Sequence, residues 1–474
     1  MDSQLLRDLK KLLGTDGVLH KPEDLLLYEY DGSVEVARPN CVVFPRTTAD
    51  VVEIVRLANR HQIPLTGRGA GTGLSGGALA RRGGIVTSFA RMNRILEIDA
   101  ENQRARVQPG LVNADLSVAV EHLGLHFVPD PSSQKACTIG GNVSENSGGP
   151  HTLAYGVTAN HVLALEVVLP SGEVVHLGGA ALDAPGYDLL GVFVGSEGTF
   201  GLVTEITVKL TRLPEMTKTL LAIYDSVGDA TETVVEITSR GITPAACEML
   251  DGWTIRAVEA YVHAGFPADC AAILLIDVDG LREAAESQAG EVAEVCRLHR
   301  AREVRLARDA KERDLLWKGR KNAFGAVGRL SPTYYTQDGV IPRTKLPETL
   351  RRVDEIGKKY GFEIGNIFHA GDGNLHPIIL FDARQEQQFR NAVAASDEII
   401  QFCIEVGGSI TGEHGVGMEK DRLMPLLFSE GELALMQRVR DVFNPAGMLN
   451  PGKIFPTKGC GEIRVRPGAQ PASA

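Results

Sequence analysis

The stretch Pro64-Leu-Thr-Gly-Arg-Gly-Ala-Gly-Thr-Gly-Leu-Ser-Gly-Gly77 places six glycines in fourteen residues directly after a short apolar run. Gly71, Gly73 and Gly76 satisfy the G-x-G-x-x-G spacing of a dinucleotide fingerprint. That fingerprint requires a helix immediately after the loop, and only Ala78-Leu-Ala-Arg-Arg-Gly-Gly84 follows, a short interval closed by two glycines. A Rossmann unit is therefore rejected. What remains is a run of backbone N–H groups able to curl into a concave nest for a pyrophosphate, with glycine permitting positive φ and close approach. Read alone, the segment is also compatible with an ordinary flexible loop.

Two further clusters weigh against that plainer reading. Pro129-Asp-Pro-Ser-Ser-Gln-Lys-Ala-Cys-Thr-Ile-Gly-Gly-Asn-Val-Ser-Glu-Asn-Ser-Gly-Gly149 combines hydroxyls, amides and glycine pairs with almost no bulk, and Gly195-Ser-Glu-Gly-Thr-Phe-Gly201 stands just before a strand. Three such clusters between Pro64 and Gly201 imply a long ligand threaded past bare backbone. Composition agrees: 52 of the 474 residues are glycine, against an ordinary ~7%.

The rest of the composition is that of a soluble globular protein, with 43% hydrophobic and 23% charged residues, which excludes collagen, a disordered chain and a coiled coil. At ~150 residues per domain the length suggests about three packing units or two large ones. Forty-nine basic and 60 acidic residues give a net charge of −11, which offers no electrostatic footprint for nucleic acid. Seven scattered cysteines, Cys41, Cys137, Cys247, Cys270, Cys296, Cys403 and Cys460, include no C-x-x-C pair. That suits a reducing, cytoplasmic compartment and denies the chain an iron–sulfur cluster of its own.

Met1 to Leu13 spaces Leu5, Leu6, Leu9, Leu12 and Leu13 as an amphipathic helix, not a signal peptide, and no apolar run approaches the ~20 residues that span a bilayer. Residues 41–46 read as a strand and Thr48–Arg60 as a helix capped by Thr48. Up to about residue 213, short β-rich runs (84–87, 105–108, 163–169, 205–210) alternate with glycine loops. From about 215 the rhythm changes to strands at 219–224 and 271–279 and helices at 229–239 and 282–298. This βαβ-like alternation predicts a separate α+β lobe. A last helix at 431–443 is broken by Asn444-Pro445, and Gly468–Ala474 is expected to be disordered. There is no internal repeat.

Late in the chain, Asn366-Ile-Phe-His-Ala-Gly-Asp-Gly-Asn-Leu-His-Pro377 sets His369 and His376 on either side of a hairpin turn signal that can bring both imidazoles to one face. Ser409-Ile-Thr-Gly-Glu-His-Gly-Val-Gly417 then frames Glu413 and His414 with glycines. Two imidazoles and a carboxylate suit a borderline divalent metal. They equally suit three satisfied polar residues in a tight core. Trp317-Lys-Gly-Arg320-Lys-Asn provides a guanidinium fit for bidentate carboxylate recognition, or a helix-surface arginine. Tyr334–Gly339 reads as pocket lining or core.

Over nearly its whole length the chain resembles the FAD-binding oxidase superfamily typified by vanillyl-alcohol oxidase, and within it the glycolate oxidase flavoprotein subunit and the FAD-linked D-2-hydroxy-acid (D-lactate) dehydrogenases. The resemblance implies an α+β fold with a two-subdomain FAD-binding domain and an α+β cap, or substrate, domain built on an antiparallel sheet. The expected division is a helical segment 1–35, the FAD-binding domain 36–214, the cap with its metal site 215–443, a segment 444–458 returning to the flavin and a tail 459–474.

By the same resemblance Arg68, Gly69, Ala70, Gly71, Thr72, Gly73, Ser75 and Gly76 hold the FAD pyrophosphate. Pro131, Ser132, Thr138, Gly140, Gly141, Ser144, Asn146 and Gly149 wrap the isoalloxazine and ribityl chain, Gly198, Gly201 and Val203 lie near the adenine half, and Asn450 reaches back to the flavin. Thr72 stands where covalently flavinylated relatives carry a histidine, so FAD is expected to be non-covalent. The resemblance assigns a divalent metal, zinc or manganese, to His369, His376 and Glu413, the general base to His414, and the substrate carboxylate to Arg320.

The expected reaction is oxidation of a small 2-hydroxy acid to the 2-oxo acid, with hydride passing to flavin N5. Relatives that bind 2-hydroxyglutarate carry an asparagine two residues after the second metal histidine. Ile378 occupies that position here, favouring glycolate or D-lactate, with D-2-hydroxyglutarate or another D-2-hydroxy acid as the alternative. The implied partners are a second flavin-type subunit and an iron–sulfur subunit, with at most peripheral attachment to the cytoplasmic face of the membrane. A metallohydrolase using the histidines would leave the glycine clusters idle, and a non-catalytic nucleotide-binding module would leave Glu413 and His414 idle.

Overall fold

Leu5 and Leu9 are fully buried on one face of the first helix, Ser3–Leu13, whose N-terminus is capped by Asp2 accepting from the Gln4 N–H. Burial of each leucine is worth about 1.5–3 kcal/mol, which is what ties this short element down. It packs on a second helix, Thr48–His61. The cap there is Thr47, not Thr48: Thr47 and Asp50 form a reciprocal capping box, while the Thr48 hydroxyl donates to Glu166 at 2.7 Å. The earlier threonine wins because its side chain is paired with the N3 acid.

The computed structural model describes residues 2–181 and 185–456. They form two units by packing. Among the described residues the first comprises 2–148, Val157–Leu213 and 413–456; the second comprises Gly149–Gly156 and Pro214–Gly412. The expected tail and Cys460 lie outside the described residues, and the six described cysteines are buried and form no disulfide with one another.

The first unit contains two main sheets. One has the strand order Val18–Leu19, Cys41–Val43, Ile85–Ser88, Leu65–Arg68, with the last three parallel. Leu65–Arg68 leads straight into the first glycine loop, and the next regular element with a ladder is Ile85–Ser88, so no helix intervenes. The other sheet runs Ile95–Asp99, Arg104–Val107, Leu202–Lys209, Val162–Val168, Val174–Gly178 over a core that includes Val107, Val167, Ile206 and Val208. The second glycine cluster is not all loop: Ile139–Glu145 is a helix capped by Thr138. Glycine at position 140 fits there because an added Cβ would lie 2.5 Å from Pro109 Cβ.

The second unit is one eight-stranded sheet, with Glu303–Leu306, Met216–Tyr224, Ala272–Gly280, Ala246–Asp251, Ile364–His369, Asn374–Phe381 and Thr333–Thr336 in that order and Gly339–Val340 also on Asn374–Phe381. Its pairings are antiparallel. The βαβ-like rhythm is a split unit: the strands flanking helix Val227–Ser239 run the same way, but Ala272–Gly280 inserts between them and pairs antiparallel to both. Helix Arg282–Leu298 buries Ala285, Ala289, Val292, Val295 and Cys296, the 3–4 spacing of one apolar face.

The sequence division carries the second lobe to residue 443, whereas packing returns the chain to the first unit at Glu413. The reason is visible at the end of helix Glu430–Phe443, where Phe443 stacks on Phe200 with ring centroids 4.6 Å apart.

Candidate active site

In the first unit the three glycine clusters converge. Gly69 lies so close to Thr138 that a Cβ would sit 2.3 Å from the Thr138 hydroxyl, which joins the first cluster to the second. The third docks on the second through Gly195 N–H to Val143 O at 2.9 Å and Glu197 N–H to Ser144 O at 2.8 Å. Asn450 closes the ring, its side-chain amide donating to Gly77 O at 3.0 Å and Glu197 O at 2.7 Å. It reaches that position because Leu65 N–H donates to Met448 O and Asn450 N–H to Leu65 O, so the C-terminal segment extends the first sheet.

The backbone here is held in unusual conformations. Gly71 and Gly76 take φ of +72° and +77°, and Asn146, Glu197 and Asn450 adopt left-handed φ of 53°, 51° and 42° despite carrying side chains. Such strain gathers where surrounding structure over-determines the chain at a functional site.

Several buried polar atoms have no protein partner among the described residues: Arg68 Nη1, Ser75 Oγ, Ser196 Oγ and Asn450 Oδ1. Around Gly73 a Cβ would meet open space. The Arg68 guanidinium and the Ser75 and Ser196 hydroxyls are donors beside bare backbone, which is what a pyrophosphate needs, and the Asn450 amide oxygen is an acceptor for a hydroxyl or N–H of the same ligand, so these residues fit a dinucleotide cofactor. Arg68 Nη2 donates to Tyr30 O at 2.9 Å, while Nη1 has no protein partner. Val203 pairs with Val167 on the strand Val162–Val168, and a Cβ at Gly201 would lie 2.4 Å from Val167 Cγ1.

Glu413 and His414, both half-buried, open the last segment of this unit. That segment is stapled to the glycine loops: Val416 and Gly417 N–H donate to the two carboxylate oxygens of Glu197 at 2.7 and 2.6 Å, and Met418 N–H donates to Ser75 O at 2.9 Å. Beneath it is a buried charged layer. Burial, and then Glu197, push the Glu145 carboxyl well above the carboxylate range. Burial pushes Lys453 down to about 8, against the opposing pull of Asp31 and Glu197.

In the second unit, His369 and His376 lie on neighbouring strands whose register pairs His369 with Asn374 and Ile367 with His376. The imidazoles are therefore diagonal neighbours on one face, with ring centroids 5.1 Å apart at 89°. His369 Nδ1 lies 2.8 Å from Glu248 Oε1, and His376 Nδ1 lies 3.2 Å from Gln337 O. Each Nδ1 thus faces an acceptor, which assigns its proton there and leaves Nε2 as the lone pair for a cation. That donor chemistry fits a divalent metal. Asp338 accepts from Thr411 Oγ1 at 2.5 Å and from Gly412 N–H at 2.9 Å; Glu413 is the next residue in the chain.

Arg320 is a buried arginine, 0% exposed, on the inner face of helix Ala310–Lys321, while Lys318 points outward. Glu248 Oε2 accepts from its Nε at 2.8 Å and lies 2.6 Å from Nη2. Nη1 has no protein partner. Burial raises the Glu248 carboxyl, but His369 and Arg320 outweigh it and hold it below its ordinary range. Glu248 was not marked by the sequence reading; its signal is a lone acid inside Ala-Cys-Glu-Met-Leu-Asp, an otherwise apolar strand until Asp251. Gly149 opens the excursion Gly149–Gly156 of the second unit with φ of +146°. Pro131 opens the turn that leads to Thr138, its carbonyl accepting from Gln134 N–H at 2.7 Å, and Ser132 lies within it.

Residues 39–178 match the family described as FAD binding domain, and residues 213–454 match the family described as FAD linked oxidases, C-terminal domain. The chain is 47% identical over 441 residues to the glycolate oxidase subunit GlcD of Escherichia coli (strain K12), spanning 93% of this chain and 88% of that one. It is 34% identical over 427 residues to D-lactate dehydrogenase of Anaerostipes hadrus, spanning 88% and 90%. The solved structure of p-cresol methylhydroxylase with substrate bound shares the fold, with a TM-score of 0.81 over 95% of this chain and 96% of that one at 18% identity.

Proposed function

The chain belongs to the family of FAD-linked oxidases, and from that membership we propose that it oxidises a small 2-hydroxy acid, glycolate or D-lactate, to the 2-oxo acid with non-covalently held FAD. The observation that carries the reading is the stapling of the His414 segment onto Glu197 and Ser75, members of two of the three glycine clusters. A residue positioned for proton chemistry is thereby fixed to the cofactor loops.

FAD when bound accepts hydride at N5, and a divalent ion, zinc or manganese, held by His369, His376 and Glu413 would polarise the substrate hydroxyl. Arg320 Nη1 is offered to the substrate carboxylate and fixes which face of Cα is presented. His414 takes the hydroxyl proton as the hydride leaves. Arg68, Ser75 and the bare amides of the first loop bind and orient the pyrophosphate, and Thr72 supplies no imidazole for a covalent flavin link.

Ile378 is fully buried in the apolar core of the second unit and pairs with Thr336, which favours a substrate with one carboxylate over D-2-hydroxyglutarate. A metallohydrolase would use the same histidines but no flavin; bleaching of the flavin by an acid separates the two. The E. coli relative is named as a subunit of glycolate oxidase, which supports an assembly with other chains; in this reading the partners are a second flavin-type subunit and an iron–sulfur subunit that take the electrons. Among the described residues no helix is long and apolar enough to cross a membrane. The reading places the enzyme in the cytoplasm, attached at most peripherally to the membrane.

Arg320→Lys keeps a charge but loses the planar fork. The apparent substrate dissociation constant in anaerobic flavin-reduction titrations is expected to rise roughly 10- to 100-fold, since hydrogen bonds to charged groups contribute about 1.5–3 kcal/mol. FAD content should be unchanged. An unaltered constant places the substrate carboxylate elsewhere.

A further inference from the structure

We infer that Glu248 is a positioning residue that locks the metal-ligating histidine and the carboxylate-binding arginine into one unit, so that divalent-metal affinity and substrate-carboxylate affinity rise and fall together. The inference rests on the functional reading of His369 and Arg320.

Glu248 stands directly opposite His369 across the strand pair Ala246–Asp251 and Ile364–His369. It is 0% exposed, as is Arg320, and His369 is 3% exposed. Both of its oxygens are used, Oε1 by His369 Nδ1 at 2.8 Å and Oε2 by Arg320 Nε at 2.8 Å. On the histidine side, a carboxylate accepting from Nδ1–H fixes the ring and leaves Nε2 as the ligand atom, an outer-shell contact whose loss typically weakens metal binding ~10- to 100-fold. On the arginine side, the Nε edge is occupied, and Nη1 is left facing away from the carboxylate with no protein partner.

The charges make one arm depend on the other. A divalent cation and an arginine served by the same neighbourhood repel each other, and the single negative charge between them offsets that repulsion. A second buried acid makes the arrangement rigid. Asp277, on the strand next to that of Glu248, accepts from Trp317 Nε1 at 3.0 Å and lies 3.4 Å from Arg313 Nη2. Helix Ala310–Lys321 is therefore anchored to the sheet at three of its side chains, and Arg320 cannot drift to compensate for a change at Glu248.

The test compares wild-type holoprotein with Glu248→Gln, which preserves shape and can keep its amide oxygen as the acceptor for His369, but then turns its NH2, a donor, toward Arg320. Zn²⁺ affinity is read after chelator stripping by competition with a chromophoric indicator. Carboxylate affinity is read from the flavin spectrum on titration with glyoxylate or pyruvate, with and without Zn²⁺. In wild type, Zn²⁺ is expected to tighten 2-oxo acid binding. In Glu248→Gln, both affinities are expected to fall about tenfold or more, and the Zn²⁺ effect on 2-oxo acid binding should shrink, at unchanged FAD stoichiometry.

A purely structural role would not remove that coupling. If Glu248→Gln fails to fold, Glu248→Asp, with its charge on a shorter arm, is expected to weaken both affinities. Either variant binding Zn²⁺ and 2-oxo acid like wild type, or losing one affinity alone, overturns the inference. Wild type that takes up no Zn²⁺, or whose flavin ignores both 2-oxo acids, overturns the functional reading itself.

Discussion

His414→Ala will reduce the single-turnover rate of flavin reduction by ~10²- to 10⁴-fold, the usual contribution of a positioned general base, while FAD stays bound. The cofactor should survive because the groups that hold its loops together are elsewhere: Glu197 receives Val416 and Gly417 N–H, and Ser75 O receives Met418 N–H, through backbone alone. Alanine leaves those contacts intact. The alcohol proton then has no base positioned for it, so hydride transfer must proceed from the protonated hydroxyl. Stopped-flow reduction under anaerobic conditions measures the effect, with FAD content determined separately. A variant that reduces its flavin at the wild-type rate removes His414 from the base role.

The second large effect is expected on cofactor retention. Asn450→Ala strips the donor shared by Gly77 O and Glu197 O, leaving two buried carbonyls without it at about 1–3 kcal/mol each. It also leaves alanine at φ of +42°, where an L-residue without a polar side chain costs about 1–2 kcal/mol. Part of this penalty falls on the apoprotein as well, so the FAD dissociation constant should rise ~10- to 100-fold and not by the full sum. Fluorescence of released flavin reports it. Wild-type FAD affinity in Asn450→Ala would mean that the first and third glycine clusters are held together without this bridge.

Much of the architecture is legible in the residues because local signals and packing agree. Helix Arg282–Leu298 occurs with the bounds its periodicity predicts, and the interval Ala78–Gly84 is too short for the helix of a Rossmann unit. Where the reading slips, competing local chemistry decides. Thr47 outcompetes Thr48 as a cap because only Thr47 is three residues before Asp50. Ile139–Glu145 is helical despite Gly140 and Gly141, with Thr138 capping its start, and position 140 is glycine because close approach to Pro109 leaves no room for a side chain.

The candidate site is legible in its polar extremes and not in its supports. Tandem histidines and glycine clusters are conspicuous in a sequence. Glu248, one acid in an apolar strand, acquires its meaning only when the sheet register sets it opposite His369. Arg320 could not be told from a surface arginine by its spacing, since Lys318 and Lys321 flank it; the helix face decides, and it turns Arg320 inward.

The most direct measurement is the anaerobic visible spectrum of the purified protein before and after separate additions of glycolate, D-lactate, L-lactate and D-2-hydroxyglutarate. The account predicts a flavin spectrum that glycolate or D-lactate bleaches within the enzyme's turnover time and that L-lactate and D-2-hydroxyglutarate leave largely intact. A protein without flavin, or a flavin that none of the four acids bleaches, contradicts it.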